Sequence, residues 1–128
     1  MTDKIQIIVI DDEPIVGKRL KPALEKSGYE VEFYETGAAA LKRLGEKNFD
    51  IVVTDVRMDE IDGMEVLAKV IEDTPHVKVI MITGYATIEV AREAMAKGAF
   101  DVIAKPFKPN DLREIIQKAA QALGADSK

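Results

Sequence analysis

The segment Ile51-Val52-Val53-Thr54-Asp55 constrains the fold more than any other part of the sequence. It is a short apolar run, rich in β-branched residues, that ends in a carboxylate. Such a run between polar residues is typical of a strand buried on both faces of a parallel sheet. Because ligands of open α/β sheets bind just beyond the carboxyl ends of the strands, Asp55 is a candidate for chemistry.

Four more segments have the composition of strands, at residues 5–10, 31–34, 77–82 and 99–104. A stretch of helical periodicity follows each strand. Thr36 and Asn110 are predicted to cap helices, and Gly28 and Gly98 to end them. Apolar residues at helical spacing predict the first and fourth helices and include Ile15, Val16, Leu20, Leu24, Ile88, Ala91, Ala94 and Met95.

Strict alternation of strands and helices predicts right-handed crossovers and a parallel sheet with helices on both faces. We therefore predict an α/β, doubly wound, five-stranded parallel sheet of order 2-1-3-4-5, a flavodoxin-like arrangement. Residues 1–124 are predicted to form this single domain, and residues 125–128 a flexible tail.

Composition excludes several functions. The chain has 128 residues, a net charge of −5 and no cysteine. Disulfides and thiolate metal sites are therefore excluded, and direct binding to nucleic acid or to an anionic membrane is disfavoured. The apolar run near the N-terminus is too short for a signal peptide core or a membrane span, so a cytoplasmic location is expected.

Polar residues follow four of the five predicted strands. Asp11 and Asp12 follow the first, Asp55 ends the third, Thr83 follows the fourth and Lys105 follows the fifth. In the predicted strand order these positions meet in one crevice. Carboxylates so close together favour a hard divalent cation, and Mg²⁺ prefers carboxylates, water and phosphate oxygens.

This group of residues suits phosphoryl transfer to an aspartate. A carboxylate can attack phosphorus, and the transfer then needs in-line positioning and neutralisation of charge. Mg²⁺ and Lys105 supply positive charge in this hypothesis, Thr83 donates a hydrogen bond, and Gly84 leaves room for the phosphoryl group.

Each residue also has a simpler interpretation. The acids before Pro14 suit a helix start, Asp55 suits a turn, and Lys105 could be an ordinary exposed lysine. These interpretations do not explain why such residues fall at successive strand ends on one edge.

The motifs together resemble the receiver domain of two-component response regulators, over nearly the whole chain. They are Asp-Asp-Glu-Pro (11–14), Thr-Asp-Val-Arg-Met (54–58), Asp-Gly (62–63), Ile-Thr-Gly-Tyr (82–85), Gly-Ala-Phe-Asp (98–101) and Lys-Pro-Phe (105–107).

The resemblance implies that Asp55 accepts a phosphoryl group from a histidine kinase. Asp12, Asp55 and the backbone carbonyl of Arg57 would hold Mg²⁺, with Asp11 acting partly through water. Lys105 would pair with the phosphoryl group, and Thr83 would move toward it. The bond before Pro106 would be cis. The domain would be a phosphoacceptor switch rather than an enzyme, catalysing only its own phosphorylation and dephosphorylation.

Some positions depart from the family pattern or vary within it. Val102 stands where an aromatic residue usually partners the moving Thr83. Phe100, two residues earlier, is expected to point the same way. Arg57 and Tyr85 occupy positions that tend to set the lifetime of the phosphoryl group.

Partners and output are less defined. The charges of Arg92, Lys97, Asp101 and Arg113 lie on or near the fourth helix, fifth strand and fifth helix, and they suit a solvated face. The resemblance to receiver domains implies that this face could mediate a homodimer or bind a partner. The downstream effector is unknown, and no DNA-binding segment is expected. The main alternative function is a pseudo-receiver that binds partners without phosphorylation. A flavin-binding module or an aspartate-based phosphatase fits less well, because the acids after the first strand would repel a flavin phosphate and the chain has no room for a phosphatase cap.

Overall fold

The computed structural model describes residues 4–58, 60–84 and 88–126. Strands and helices alternate throughout. The strands are β1 (Gln6–Ile10), β2 (Glu30–Tyr34), β3 (Ile51–Asp55), β4 (Lys78–Thr83) and β5 (Asp101–Ala104). The helices are α1 (Pro14–Lys26), α2 (Gly37–Leu44), α3 (Gly63–Asp73), α4 (Ile88–Ala96) and α5 (Pro109–Asp126). None of the helices among the described residues is long and apolar enough to cross a bilayer.

The five strands form one parallel sheet of order β2-β1-β3-β4-β5, which confirms the predicted fold class. Strand alternation divides the core into two layers. Ile7, Val9 and Val53 lie on one face with residues of α1 and α5, whereas Ile8 and Val52 lie on the other with residues of α2, α3 and α4. All five residues of β3 are buried, as expected for the central strand.

Three of the apolar residues that recur at helical spacing are exposed in the structure. The exposed fractions are 54% for Ile15 in α1, and 71% and 49% for Ile88 and Met95 in α4. Only Ala94 of α4 is buried. The helical periodicity was correct, but these helices carry more apolar surface than the sheet covers.

The predicted helix ends are correct with one exception. Gly28 and Gly98 have φ values of 95° and 105°, a conformation that glycine adopts without strain. Thr36 Oγ1 accepts a hydrogen bond of 3.1 Å from the Ala39 N–H and caps α2. Asn110 is not a cap, because α5 begins one residue earlier, at Pro109, and the Asn110 side chain accepts from Arg113.

The start of α5 is held by a different residue. The Asp111 carboxylate accepts a hydrogen bond from the Lys108 N–H at 3.2 Å. At its other end α5 continues to Asp126, so that the helix includes the first two residues of the predicted 125–128 tail. The flexibility of that tail stays a prediction.

A group of ion pairs joins β2 to the α2 region. Glu32 accepts hydrogen bonds from Arg43 (Nε–Oε1 2.8 Å), Tyr34 (Oη–Oε1 2.7 Å) and Lys47 (Nζ–Oε2 3.0 Å). These contacts lower the pKa of Glu32 to about 2, and the hydrogen bond from Arg43 is the largest cause. The Glu32 carboxylate therefore favours the folded state when it is ionised.

Glu32→Gln is expected to lower the free energy of unfolding by about 0.5–1 kcal/mol at pH 7, because the ion pairs of Glu32 are partly exposed and solvent weakens them. A lowered folded-state pKa gives stability that is present above pH 4.5 and is lost as the pH falls toward about 2. The difference between variant and wild type should therefore shrink in urea unfolding experiments across this range. A pH-independent difference, or an equal loss in the exposed control Glu114→Gln, would contradict the assignment.

Candidate phosphoacceptor site

Main-chain hydrogen bonds bring four strand ends together at the carboxyl edge of the sheet. The Asp11 N–H donates to the Tyr34 carbonyl (3.1 Å), so Asp11 extends β1 by one residue. Asp55 and Thr83 are the last residues of β3 and β4. The Lys105 N–H donates to the Thr83 carbonyl at 2.8 Å, which places Lys105 directly beside the end of β4.

The Lys105 ammonium lies at the centre of this group. Its Nζ is 2.8 Å from Asp11 Oδ2, 3.1 Å from Asp55 Oδ2 and 2.7 Å from Glu13 Oε1. The structure thus brings together Asp11, Asp55 and Lys105, as the sequence predicted. The peptide bond between Lys105 and Pro106 is cis.

Most of these polar groups are removed from water. The exposed fractions are 0% for Asp11, 1% for Thr83 and 6% for Asp55. Burial raises the pKa of the Asp11 carboxyl, against the opposing effect of Lys105. Burial alone would lower the pKa of Lys105, but its contacts with Asp11, Glu13 and Asp55 raise it above the ordinary value. Lys105 therefore stays charged at neutral pH.

The acids of this edge form a set that fits a divalent cation. Asp11, Asp12, Glu13 and Asp55 each offer an oxygen, and these oxygens all lie within 4.8 Å of one another. Asp11 Oδ2 is buried and accepts no well-aligned hydrogen bond from the described residues, its close contact being the ionic one with Lys105. Oxygen donors of this kind and an under-satisfied buried carboxylate match the preference of Mg²⁺.

Glu13 is a site residue that the sequence analysis missed. The acids before Pro14 were interpreted partly as helix-capping residues, but Glu13 at the N-cap of α1 makes no side-chain capping bond. Its carboxylate reaches Lys105 instead. A glutamate directly after Asp11 and Asp12, at the same strand end, was the signal available in the sequence.

The other predicted site residues lie around this centre. The Arg57 N–H donates to Asp55 Oδ1 at 3.3 Å, and the Arg57 side chain is exposed. Gly84 follows β4, and open space lies where a Cβ would be. Asp12 is exposed beside Asp11. Tyr85 lies outside the described residues.

Two predictions about neighbouring residues were wrong. Phe100 precedes β5 and packs with the α1 and α5 layer, whereas Val102 packs with the opposite layer, so the two side chains do not point the same way. Arg113 was placed on the face shared with α4. Its guanidinium instead lies near Ser27 at the end of α1 (Nη1–Oγ 3.4 Å).

Comparisons of the sequence and of the structure with known proteins point to the same family. The family model described as "Response regulator receiver domain" matches residues 7–117. Two curated relatives differ in how much of their own length this chain covers. Regulatory protein AtoC of Escherichia coli K12 is 36% identical over 121 residues, which are 94% of this chain and 26% of AtoC. Response regulator receiver protein CpdR of Brucella abortus is 35% identical over 113 residues, which are 88% of this chain and 94% of CpdR.

The chain therefore spans about a quarter of AtoC and of the transcriptional regulatory protein ZraR of Escherichia coli O157:H7, but almost all of CpdR. Solved structures agree. A CheY-like receiver domain protein from Methanospirillum hungatei superposes with a TM-score of 0.92 at 31% identity, covering 97% of this chain and 99% of that one. The NtrC4 receiver domain, solved as a beryllofluoride-activated dimer, gives 0.87 at 31% identity, covering 92% and 98%.

Proposed function

The chain belongs to the family of response regulator receiver domains, whose shared function is phosphorylation-based switching, and we propose that Asp55 is its phosphoacceptor. The observation that carries this proposal is the position of Asp55 at the end of the central strand, 3.1 Å from the Lys105 ammonium. One face of its carboxylate is fixed by the Arg57 N–H, and 6% of the residue is exposed. Asp55 is thus held in place at the end of the central strand.

Asp12, Asp55 and the backbone carbonyl of Arg57 would hold Mg²⁺, with Asp11 acting partly through water. The close oxygen set and the raised pKa of buried Asp11 support this, because both are relieved by a cation. Bound Mg²⁺ would neutralise charge on the phosphoryl oxygens.

Residues at or just after the ends of β4 and β5 complete the proposed mechanism. Lys105 orients the acceptor before transfer and afterwards pairs with the phosphoryl group, whose added charge is close to −2. Thr83 moves toward that charge and carries the signal, and open space at Gly84 gives the group room. Arg57 and Tyr85 adjust how long it survives. Val102, which stands where the family usually has an aromatic partner for Thr83, packs with the layer of α2 to α4.

The domain acts as a switch and not as a turnover enzyme, since Asp55 itself carries the product. A histidine kinase is the phosphodonor, in the cytoplasm, and the effector that senses the switch is a second protein or domain. Homodimerisation through α4, β5 and α5 is supported by the exposed Ile88 and Met95 of α4.

Incubation with acetyl phosphate and Mg²⁺ is expected to add one phosphoryl group to the intact mass, and chelation of Mg²⁺ should prevent the addition. A short-lived adduct would escape this measurement. Beryllofluoride, which mimics the phosphoryl group without hydrolysing, should then shift NMR signals around Asp55 and Thr83. The absence of both the adduct and the beryllofluoride-dependent shifts would favour the pseudo-receiver alternative.

A further inference from the structure

Three carboxylates surround the Lys105 ammonium group. Nζ donates hydrogen bonds to Glu13 Oε1 at 2.7 Å and to Asp55 Oδ2 at 3.1 Å, and it lies 2.8 Å from Asp11 Oδ2 in an ionic contact. A phosphoryl group on Asp55 would bring a fourth anionic partner to an ammonium group that has three donors, so contact with it favours release of one of the three carboxylates. The structure allows the three candidates to be compared.

Two of the carboxylates are poor candidates for release. Asp11 is fully buried, so water could not solvate its charge if the contact with Lys105 opened. Asp55 carries the phosphoryl group and stays within reach of Lys105 for that reason.

Glu13 differs from both. Its side chain is 58% exposed, so water can solvate the carboxylate as soon as the ion pair opens. It makes no capping bond with α1, and so the helix does not hold the side chain in place. Its carboxylate oxygen also lies within 4.8 Å of an oxygen of Asp55, where the negative phosphoryl group arrives.

We propose that Glu13 is the carboxylate that Lys105 releases on phosphorylation, and that it is a positioning residue whose ion pair with Lys105 opposes the phosphorylated state. This inference rests on the proposed phosphorylation of Asp55. In this proposal Glu13 is an ion-pair partner of Lys105 and not a ligand of the metal. Removing the Glu13 charge should therefore favour phosphorylation, whereas damage to the site or loss of a metal ligand would disfavour it.

Glu13→Gln tests the inference because it keeps the size of the side chain and removes its charge. At saturating Mg²⁺, the rate constant for phosphorylation by acetyl phosphate should rise about two- to fivefold, the size expected of an exposed ion pair. The dissociation constant for beryllofluoride should fall by a similar factor, and that for Mg²⁺ alone should change less than about twofold.

Glu35→Gln is the matched control, since Glu35 is an exposed acid that directly follows β2 at the same edge of the sheet. An equal gain in this variant would overturn the inference by showing a general charge effect. An unchanged or lower rate in Glu13→Gln, or weaker Mg²⁺ binding, would also overturn it. Failure of the wild-type protein to take up a phosphoryl group would instead refute the proposed function.

Discussion

Asp55→Asn is expected to abolish the Mg²⁺-dependent phosphoryl adduct completely. An uncharged carboxamide cannot attack phosphorus as a carboxylate does, and it is a much weaker ligand for a hard cation. Intact-mass measurement after incubation with acetyl phosphate and Mg²⁺ should show one added group on the wild-type protein and none on the variant.

The variant should keep its fold, so the loss can be attributed to chemistry. Asparagine has the shape of aspartate, and its carbonyl oxygen can still accept the hydrogen bond from the Arg57 N–H. The charge of Asp55 contributes to the raised pKa of Asp11, because two carboxylates repel each other. Removing one of these charges should leave the free energy of unfolding unchanged or slightly raised in urea experiments.

Asp50→Asn is a suitable control because Asp50 directly precedes the same strand, at the opposite edge of the sheet. Its Oδ2 accepts a hydrogen bond from the Gln6 N–H at 2.8 Å, remote from Lys105. This variant should be phosphorylated like the wild type. An adduct on Asp55→Asn would identify another acceptor, with the exposed Asp12 as the first to test.

The strand order and the main site residues could be predicted because both follow from short-range patterns. Buried strands such as Ile51–Asp55 are visible as apolar runs, and alternation with helices restricts the connections to few topologies. Once the order is known, residues at strand ends must meet at one edge. Asp11, Asp55 and Lys105 therefore come together without knowledge of any side-chain conformation.

The wrong predictions concern residues outside the strands, whose side-chain positions depend on the local backbone conformation. Phe100 was assigned the direction of Val102, but it precedes β5, where strand alternation does not apply. Asn110 is a good capping residue by type, yet Pro109 begins the helix and displaces it. The contact of Glu13 with Lys105 depends on a rotamer at the N-cap, which residue type and spacing do not determine.

Gly63→Ala is expected to destabilise the protein by about 3 kcal/mol, at the upper end of the usual cost of overpacking. A Cβ at this position would lie 2.0 Å from the Asp55 carbonyl oxygen and 2.9 Å from Val56 Cα. These neighbours are backbone atoms, and the Gly63 N–H already donates to the Val56 carbonyl at 2.8 Å. The first turn of α3 would have to move away from the end of β3.

Gly124→Ala is expected to change the stability in the opposite direction and serves as the control. Gly124 lies in α5 with nothing within 4 Å of an added Cβ, so alanine should stabilise the helix by about 0.5–1 kcal/mol. Urea unfolding of both variants measures the difference in sign. A loss below about 1 kcal/mol for Gly63→Ala would mean that α3 adjusts easily and that the close approach is not required.

The close approach also links the stability of the fold to the site. Gly63 allows the start of α3 to pack against the backbone of Asp55, the proposed phosphoacceptor. Asp62 fixes that helix start, since its Oδ1 accepts from the Glu65 N–H at 3.0 Å. A shift of Asp55 relative to Lys105 should lower the phosphorylation rate of Gly63→Ala even under conditions in which the variant is fully folded. A folded variant with the wild-type rate would show that α3 does not position Asp55.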